Sequence, residues 1–352
     1  MAIRLSRART LLGIVAVLGL LVIGIQAAEK GNVYAVRNLV SDGSIPAVRI
    51  DPNLVNAWGL AASPSSPWWV ADNETAVSTL YDANGNRLSL VVHVPGAPTG
   101  MVFNGGAGFV VTNGTSSAPA RFIFASEDGT VSGWNPAVAP TQAVVAFQST
   151  EGASYKGLAL AHTGTGDFLY AADFHNSRVD VLDSTFHAVT IAGAFVDPQV
   201  PSGFAPFGIQ TIGDTILVAY AKQDADAEDE VAGEGLGYVS AFRTDGTFVT
   251  RVASRGALNA PWGMALAPTD FGRFGGDLLI GNFGDGRINA YDATTFEPRG
   301  HLKGIDGKAV VIDGLWGIAF GNGGIAGPRN VLFFAAGPDD ETHGLFGKIE
   351  AQ

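Results

Sequence analysis

The sequence predicts an all-β chain folded as a six-bladed β-propeller of four-stranded blades, and three observations carry that reading. A Gly-centred segment recurs six times along the chain. Each copy is followed by short apolar runs separated by turn residues. The sixth copy is one strand short, and a β-rich N-terminal stretch, Val33 to Val40, can supply it.

The chain opens on a leader rather than on the fold. Arg4, Arg7 and Arg9 precede an unbroken apolar run from Leu11 to Ile25, and Ala27-Ala28 offers a cleavage site. Residues 1–28 read as a signal peptide, with an uncleaved anchor as the alternative, and 29–352 as a single propeller domain. The expected location is exported, periplasmic or extracellular. The apolar run is shorter than the roughly 20 residues a membrane-spanning helix needs, and no membrane span is expected after signal removal. No cysteine occurs, so stability must come from burial and backbone pairing. Charged residues are 15% of the chain and Gly contributes 47 residues, a balance suited to buried strands joined by tight turns.

The repeated segments are Ala57-Trp58-Gly59, Pro98-Thr99-Gly100, Tyr155-Lys156-Gly157, Pro206-Phe207-Gly208, Pro261-Trp262-Gly263 and Leu315-Trp316-Gly317. Their glycines lie 41, 57, 51, 55 and 54 residues apart, a blade-length spacing. Second strands are expected at Trp68 to Ala71, Gly108 to Thr112, Phe168 to Ala172, Thr215 to Tyr220, Leu278 to Gly281 and Val331 to Ala335. Third strands include Ser78 to Asp82, Arg178 to Asp183 and Arg287 to Asp292. Asn84-Gly85, Asp128-Gly129 and Asp245-Gly246 mark turns into outer strands such as Leu90 to Val94, Ala143 to Phe147 and Phe248 to Val252. The glycines and tryptophans of the repeat read as packing residues, since Gly lets neighbouring backbones crowd near an axis.

Removing the leader takes three arginines from the 21 basic residues and leaves 18 against 33 acidic ones, a formal charge of −15. Such a surface repels phosphate backbones and attracts cations, so nucleic acid is not an expected partner. In a propeller, the loops entering the inner strands and those joining second to third strands share one face. Asp72, Asn73, Asn113, Asp173, His175, Asn176, Lys222, Gln223, Asn282, Asp285, Asp339, Glu341 and His343 fall in those loops, with Asn56, Lys156, Asn259 and Asp313 in the entry segments. Turns are made of the same residue types, so some of this polarity belongs to any propeller. Oxygen ligands from several blades would suit Ca²⁺ or another divalent cation. The run from Asp224 to Glu230 holds five carboxylates in seven residues; Asp224, Asp226 and Glu228 alternate as at the start of a calcium loop but lack its Gly and closing Glu. A solvated acidic loop is the competing reading. No nucleophile elbow, zinc-protease helix or phosphate loop is present, and His175 and His343 are the available acid–base groups.

Trp58-Gly59-Leu60-Ala61, Tyr170-Ala171-Ala172-Asp173 and Gly281-Asn282-Phe283-Gly284-Asp285 resemble the NHL-type repeat. With Tyr220-Ala221-Lys222-Gln223-Asp224 and Ile312-Asp313-Gly314-Leu315-Trp316, the chain looks like a family of secreted bacterial propeller proteins without an established activity. That resemblance implies the fold and an exported location. More distantly it is similar to gluconolactonase-like propellers, which implies a divalent metal on Glu, Asn and Asp side chains, with Glu127, Asp173 and Asn282 in those roles. Whether the chain is an enzyme stays open. The expected function is a monomeric scaffold that binds a protein, glycan or small molecule on the polar face. A metal-dependent hydrolase or lactonase and a structural envelope protein are the alternatives.

Overall fold

The computed structural model describes residues 31–164 and 166–352, and the leader read at residues 1–28 lies outside them. Residues 31–352 hold six blade sheets, of which five are four-stranded, antiparallel and taken in chain order from the inside outward. The sixth borrows its outer strand from the N-terminal side and carries a fifth short strand, and a separate two-stranded hairpin completes the described sheets. The inner strands are Ala57–Ala61, Pro98–Phe103, Tyr155–Thr163, Phe204–Ile212, Pro261–Leu266 and Leu315–Phe320. Among the described residues the one helical turn is the 3₁₀ segment Gly272–Phe274.

The outer strand is the least buried of each blade, and the second strands are buried at least as fully as the inner ones in most blades. The second strands Trp68–Asp72 and Val331–Ala336 are buried along their whole length, because blades cover both faces. The outermost strand Pro298–His301 is largely exposed. Burial on both faces explains why second strands read as continuous apolar runs rather than as an alternating pattern. Aromatic contacts fasten neighbouring blades. Trp68 of blade one meets Phe333 of blade six at 5.2 Å, and Tyr81 meets Phe346 at 5.3 Å. Each such buried ring stabilises the fold by about 2 kcal/mol of apolar transfer.

The ring is closed by the strand Tyr34–Ser41, which pairs antiparallel with Leu345–Ala351 as the outer strand of blade six. Without it the last strand would present a bare edge. A two-residue strand, Arg49–Ile50, then adds in parallel outside it.

Blade two is the least regular in sequence; the hairpin read between Arg121 and Trp134 around Glu127-Asp128-Gly129 is present, and the blade's second strand is corrected. Val110–Thr112 does not enter the blade; it pairs with Ser117–Pro119 as a separate hairpin, and Phe122–Ser126 takes the second-strand place. The physical reason is burial. Phe122–Ser126 is buried throughout, whereas Val110 and Thr112 are exposed. Asn104 ties off the excursion by donating to the carbonyls of Gly108 and Ala120 at 3.1 and 2.9 Å. Asn113 therefore turns that hairpin, accepting from the amides of Thr115 and Ser116, and is not on the polar face.

The six repeat glycines close the ring by contact. A Cβ on Gly59 would lie 2.3 Å from the Thr99 carbonyl oxygen, one on Gly157 2.8 Å from that of Phe207, and one on Gly208 2.1 Å from that of Trp262. On Gly263 it would meet the Trp316 oxygen at 2.5 Å, and on Gly317 the Trp58 oxygen at 2.8 Å. Gly100 abuts the backbone of Gly157 and Leu158 in the same way. Each inner strand thus presses its glycine onto the next blade, and the sixth onto the first.

Candidate ligand site at the channel mouth

The residue before each repeat glycine fixes what fills the axis: Trp58, Thr99, Lys156, Phe207, Trp262 and Trp316. Trp58, Phe174, Phe207 and Trp316 pack in one buried cluster, with Trp262 and Phe283 against it. These residues come from blades one, three, four, five and six, which meet only around the axis. Trp58 stacks on Trp316 with ring centres 3.7 Å apart, and Phe283 stacks on Trp316 at 4.0 Å. Trp316 Nε1 donates to Asn56 Oδ1 at 2.9 Å and Trp262 Nε1 to the Lys156 carbonyl at 2.8 Å.

Above this aromatic floor lies a polar network. The second-to-third-strand turns sit on the same side as the inner-strand entries: the amide of Asn73 donates to the carbonyl of Asn56, Glu127 to Ala97, Phe174 to Ser154, Phe283 to Ala260 and Gly337 to Gly314. Lys156 is the one charged residue in the pre-glycine register, and its side chain is 3% exposed. Its ammonium lies 5.5 Å from the centre of the Trp58 ring and donates to Glu127 Oε1 and, at 3.1 Å, to Asp229 Oδ1. Glu127 Oε2 accepts from Asn73 at 2.9 Å, Asn73 Oδ1 accepts from Asn56 at 3.2 Å, and Asn56 also donates to Glu341 Oε2. The chain Glu341–Asn56–Asn73–Glu127–Lys156–Asp229 therefore links blades six, one, two, three and four.

Burial works against the Lys156 charge, yet the carboxylate of Glu127 above all, then those of Asp229 and Glu230, outweigh it and raise its pKa above the ordinary lysine value. Lys156 is held as an ammonium, which rules it out as a neutral amine nucleophile or base near pH 7. Two half-buried carboxyls nearby go the other way. Burial, reinforced by Glu341, pushes Glu230 up to about 8. Burial also pushes Glu341 up to about 7, against the lowering effect of the Asn56 hydrogen bond and of Lys156. Glu341 is aimed by an uncommon backbone: Asp339, Asp340 and Glu341 have φ of 57°, 50° and 66°, three successive non-glycine residues in the left-handed region.

The residues singled out from sequence are dispersed over this face. Asp72, Asp173 and Asn282 occupy the same place in the repeat, the end of a second strand, where Asp72 holds the third strand and Asp173 and Asn282 the following turn. Asp72 is buried and accepts from the Thr79 amide at 3.0 Å, and burial raises its pKa well above the ordinary value. Asp173, also raised by burial, accepts from the amide and side chain of Asn176 at 3.1 and 2.8 Å. Asn282 donates to the Ala257 carbonyl at 2.8 Å and to Asp285 at 3.0 Å, while its Oδ1 finds no hydrogen-bond partner. Gln223 pins blade four to blade three by donating to the Phe174 carbonyl at 2.6 Å. His175 Nδ1 lies 3.1 Å from Glu228, His343 Nδ1 2.8 Å from Asp42, and the Lys222 ammonium 5.7 Å from the Phe204 ring centre. In the acidic run, Asp224 Oδ1 accepts from the Glu228 amide at 3.0 Å, Asp226 is exposed at the tip, and a bridge between Gln223 and Glu230 folds the run back on itself.

Of the residues read from sequence onto this face, Asn56, Asn73, Lys156 and Glu341 take part in the side-chain network at the mouth, as does Glu127 of the gluconolactonase-like donor set. Among those residues no three His, Asp or Glu side chains gather as a metal site. The donor set implied by the gluconolactonase-like resemblance does not fit a metal here, because Glu127 is engaged by Lys156 and Asn73, and Asp173 by Asn176. Sequence reasoning passed over Asp229 and Glu230 in favour of their alternating neighbours. The sequence signal for the mouth is Lys156, read into the entry segments, a lysine where the other blades place Trp, Thr or Phe.

No family model matches the chain. An uncharacterised protein of Acanthamoeba polyphaga mimivirus is 36% identical over 334 residues, a match covering 90% of this chain and 80% of the viral one. A second uncharacterised protein of the same virus is 34% identical over 334 residues, covering 90% and 85%. Among solved structures, a protein of unknown function from Bacteroides thetaiotaomicron superposes with a TM-score of 0.58 at 13% identity, over 90% of this chain and 76% of that one. Virginiamycin B lyase from Staphylococcus aureus does so with 0.52 at 12% identity, over 90% and 99%. At such identities the structural likenesses establish the fold alone.

Proposed function

The chain belongs to the family of those two mimivirus proteins, and from that premise we propose that it is a binding propeller whose channel mouth holds a small organic cation. One observation carries the reading: Glu230 and Glu341 stand half-buried and near each other, and neither has a cationic partner within ion-pair distance among the described residues. Lys156 ion-pairs with Glu127 and Asp229 and offsets these two carboxyls only in part, from beyond ion-pair distance. An added cation would remove that imbalance. Partly exposed Trp262 and Phe283 offer an apolar and π-rich surface on the aromatic floor, and the Lys156 ammonium over Trp58 illustrates how this floor receives a cation. The left-handed run at 339–341 supports a binding role as well, since such backbone persists where the surroundings hold it in place. The acidic surface would draw cations toward the mouth. The leader at residues 1–28 supports an exported location for this activity.

The test is a titration of intrinsic tryptophan fluorescence with benzylammonium, using benzyl alcohol as the neutral control. The expected result is a saturable response to the cation, none to the alcohol at equal concentration, and about tenfold weaker binding in Glu341→Gln. Equal responses to the two compounds, or an unchanged affinity in Glu341→Gln, would remove the proposal. If Ca²⁺ rather than benzylammonium saturates the response, the ligand is a metal ion and the organic-cation reading fails.

A further inference from the structure

The two ends of the channel are built from opposite kinds of side chain. At the entries the inner strands carry Trp, Phe and Lys, which fill the axis. Toward the exits they carry Ala61, Ala159 and Ala319, which do not. Below the aromatic floor the axis narrows to a void of about 20 Å³ and then widens into a funnel of about 740 Å³ on the exit face. That volume is within the range of small-molecule sites.

Leu60, Met101, Leu160 and Phe320 give the funnel wall an apolar patch on each of blades one, two, three and six. Three polar side chains of different blades stand on it with bonding capacity to spare. Arg329 of blade six has no ion-pair partner among the described residues, in a chain where acidic residues outnumber basic ones by 33 to 21. Gln210 of blade four makes only a long 3.4 Å contact, with the carbonyl of the next residue. His162 of blade three spends Nδ1 on Asp167 at 2.8 Å, which leaves Nε2 for a ligand. The opposite mouth is acidic around an ammonium already paired, whereas here the uncommitted charge is a guanidinium, a group suited to carboxylates and sulfonates.

We propose that this exit-side funnel is a second ligand site, separate from the acidic mouth, which takes a small organic anion with an apolar body. The anionic group pairs with Arg329, Gln210 and His162 supply hydrogen bonds, and the apolar body lies against Leu60, Met101 and Phe320. The aromatic floor separates it from the mouth, so each site fills without the other.

The probe is 8-anilinonaphthalene-1-sulfonate, an apolar monoanion that fluoresces when shielded from water. Wild-type protein, with native circular dichroism checked in the same buffer, should bind it saturably. Benzoate should displace it and benzyl alcohol at equal concentration should not. Arg329 is exposed, so Arg329→Gln keeps the fold and should weaken binding about tenfold. Ala319→Phe, which fills the funnel, should weaken it as well, and Glu341→Gln at the other mouth should leave it unchanged. No saturable binding to the folded wild type, equal displacement by benzyl alcohol, or an unaltered affinity in Arg329→Gln would each overturn the proposal.

Discussion

Single residues decide the character of the mouth, and their protonation gives the most accessible consequence. Glu230 and Glu341 keep their protons to about pH 8 and about pH 7 in the folded protein, against an ordinary glutamate near 4.3. Between roughly pH 4 and pH 8 the folded state therefore binds more protons than the unfolded chain, and stability falls as pH rises through that window. Asp72 and Asp173, also raised by burial, add to the fall in the same direction. Denaturant midpoints at pH 5 and pH 9 should show lower stability at pH 9, and Glu230→Gln with Glu341→Gln should reduce the difference. A wild-type midpoint that rises with pH, or a difference untouched by both changes, would contradict these assignments. At this scale the sequence was legible only in part. Lys156 stood out in its register, but Glu230 could not be told from its acidic neighbours, because the turn that folds it inward depends on a bridge to Gln223 rather than on any local motif.

At the scale of strands, sequence pattern and structure agree where burial is unambiguous. Trp68–Asp72, Thr215–Lys222 and Val331–Ala336 are apolar runs with nothing nearby to compete for their place. In blade two the sequence pattern misassigns only the second-strand place, because two runs compete for it and the choice between them rests on which can be buried on both faces. The closing strand was legible from a deficit, one blade lacking its last strand while the N-terminus had one to give. That closure can be checked directly, since the native chain has no cysteine to interfere. Ala35 and Glu350 are directly paired across the closing strands and both are partly exposed. Opposed residues in an antiparallel pair lie about 5 Å apart between Cα atoms, within disulfide reach. Ala35→Cys with Glu350→Cys should cross-link on mild oxidation and raise unfolding free energy by about 2–4 kcal/mol. Persistently free thiols in the folded, oxidised protein would show that the ring is closed some other way.

For the whole molecule, the six glycines and the residues that precede them do two things at once. They set the blades at contact distance around an axis, and they fill that axis with indole and phenyl rings that separate an acidic mouth from an open funnel. The repeat made the ring legible in the sequence, and the loop positions put Asn56, Asn73, Lys156 and Glu341 on one face of it; which side chains pair there was not legible, because residues from Asn56 to Glu341 meet from five blades and share no stretch of sequence. The central claim is that Glu230 and Glu341 together receive a cation. Since both carboxyls are partly protonated near neutral pH, filling the mouth with a cation should expel protons. Isothermal titration of the protein with benzylammonium at pH 7, repeated in buffers of different ionisation enthalpy, counts those protons. The expected result is net proton release at pH 7, little release at pH 9 with tighter binding there, and loss of the release in the Glu230→Gln, Glu341→Gln double variant. Binding without proton release at pH 7, or no binding at either pH, would contradict the claim.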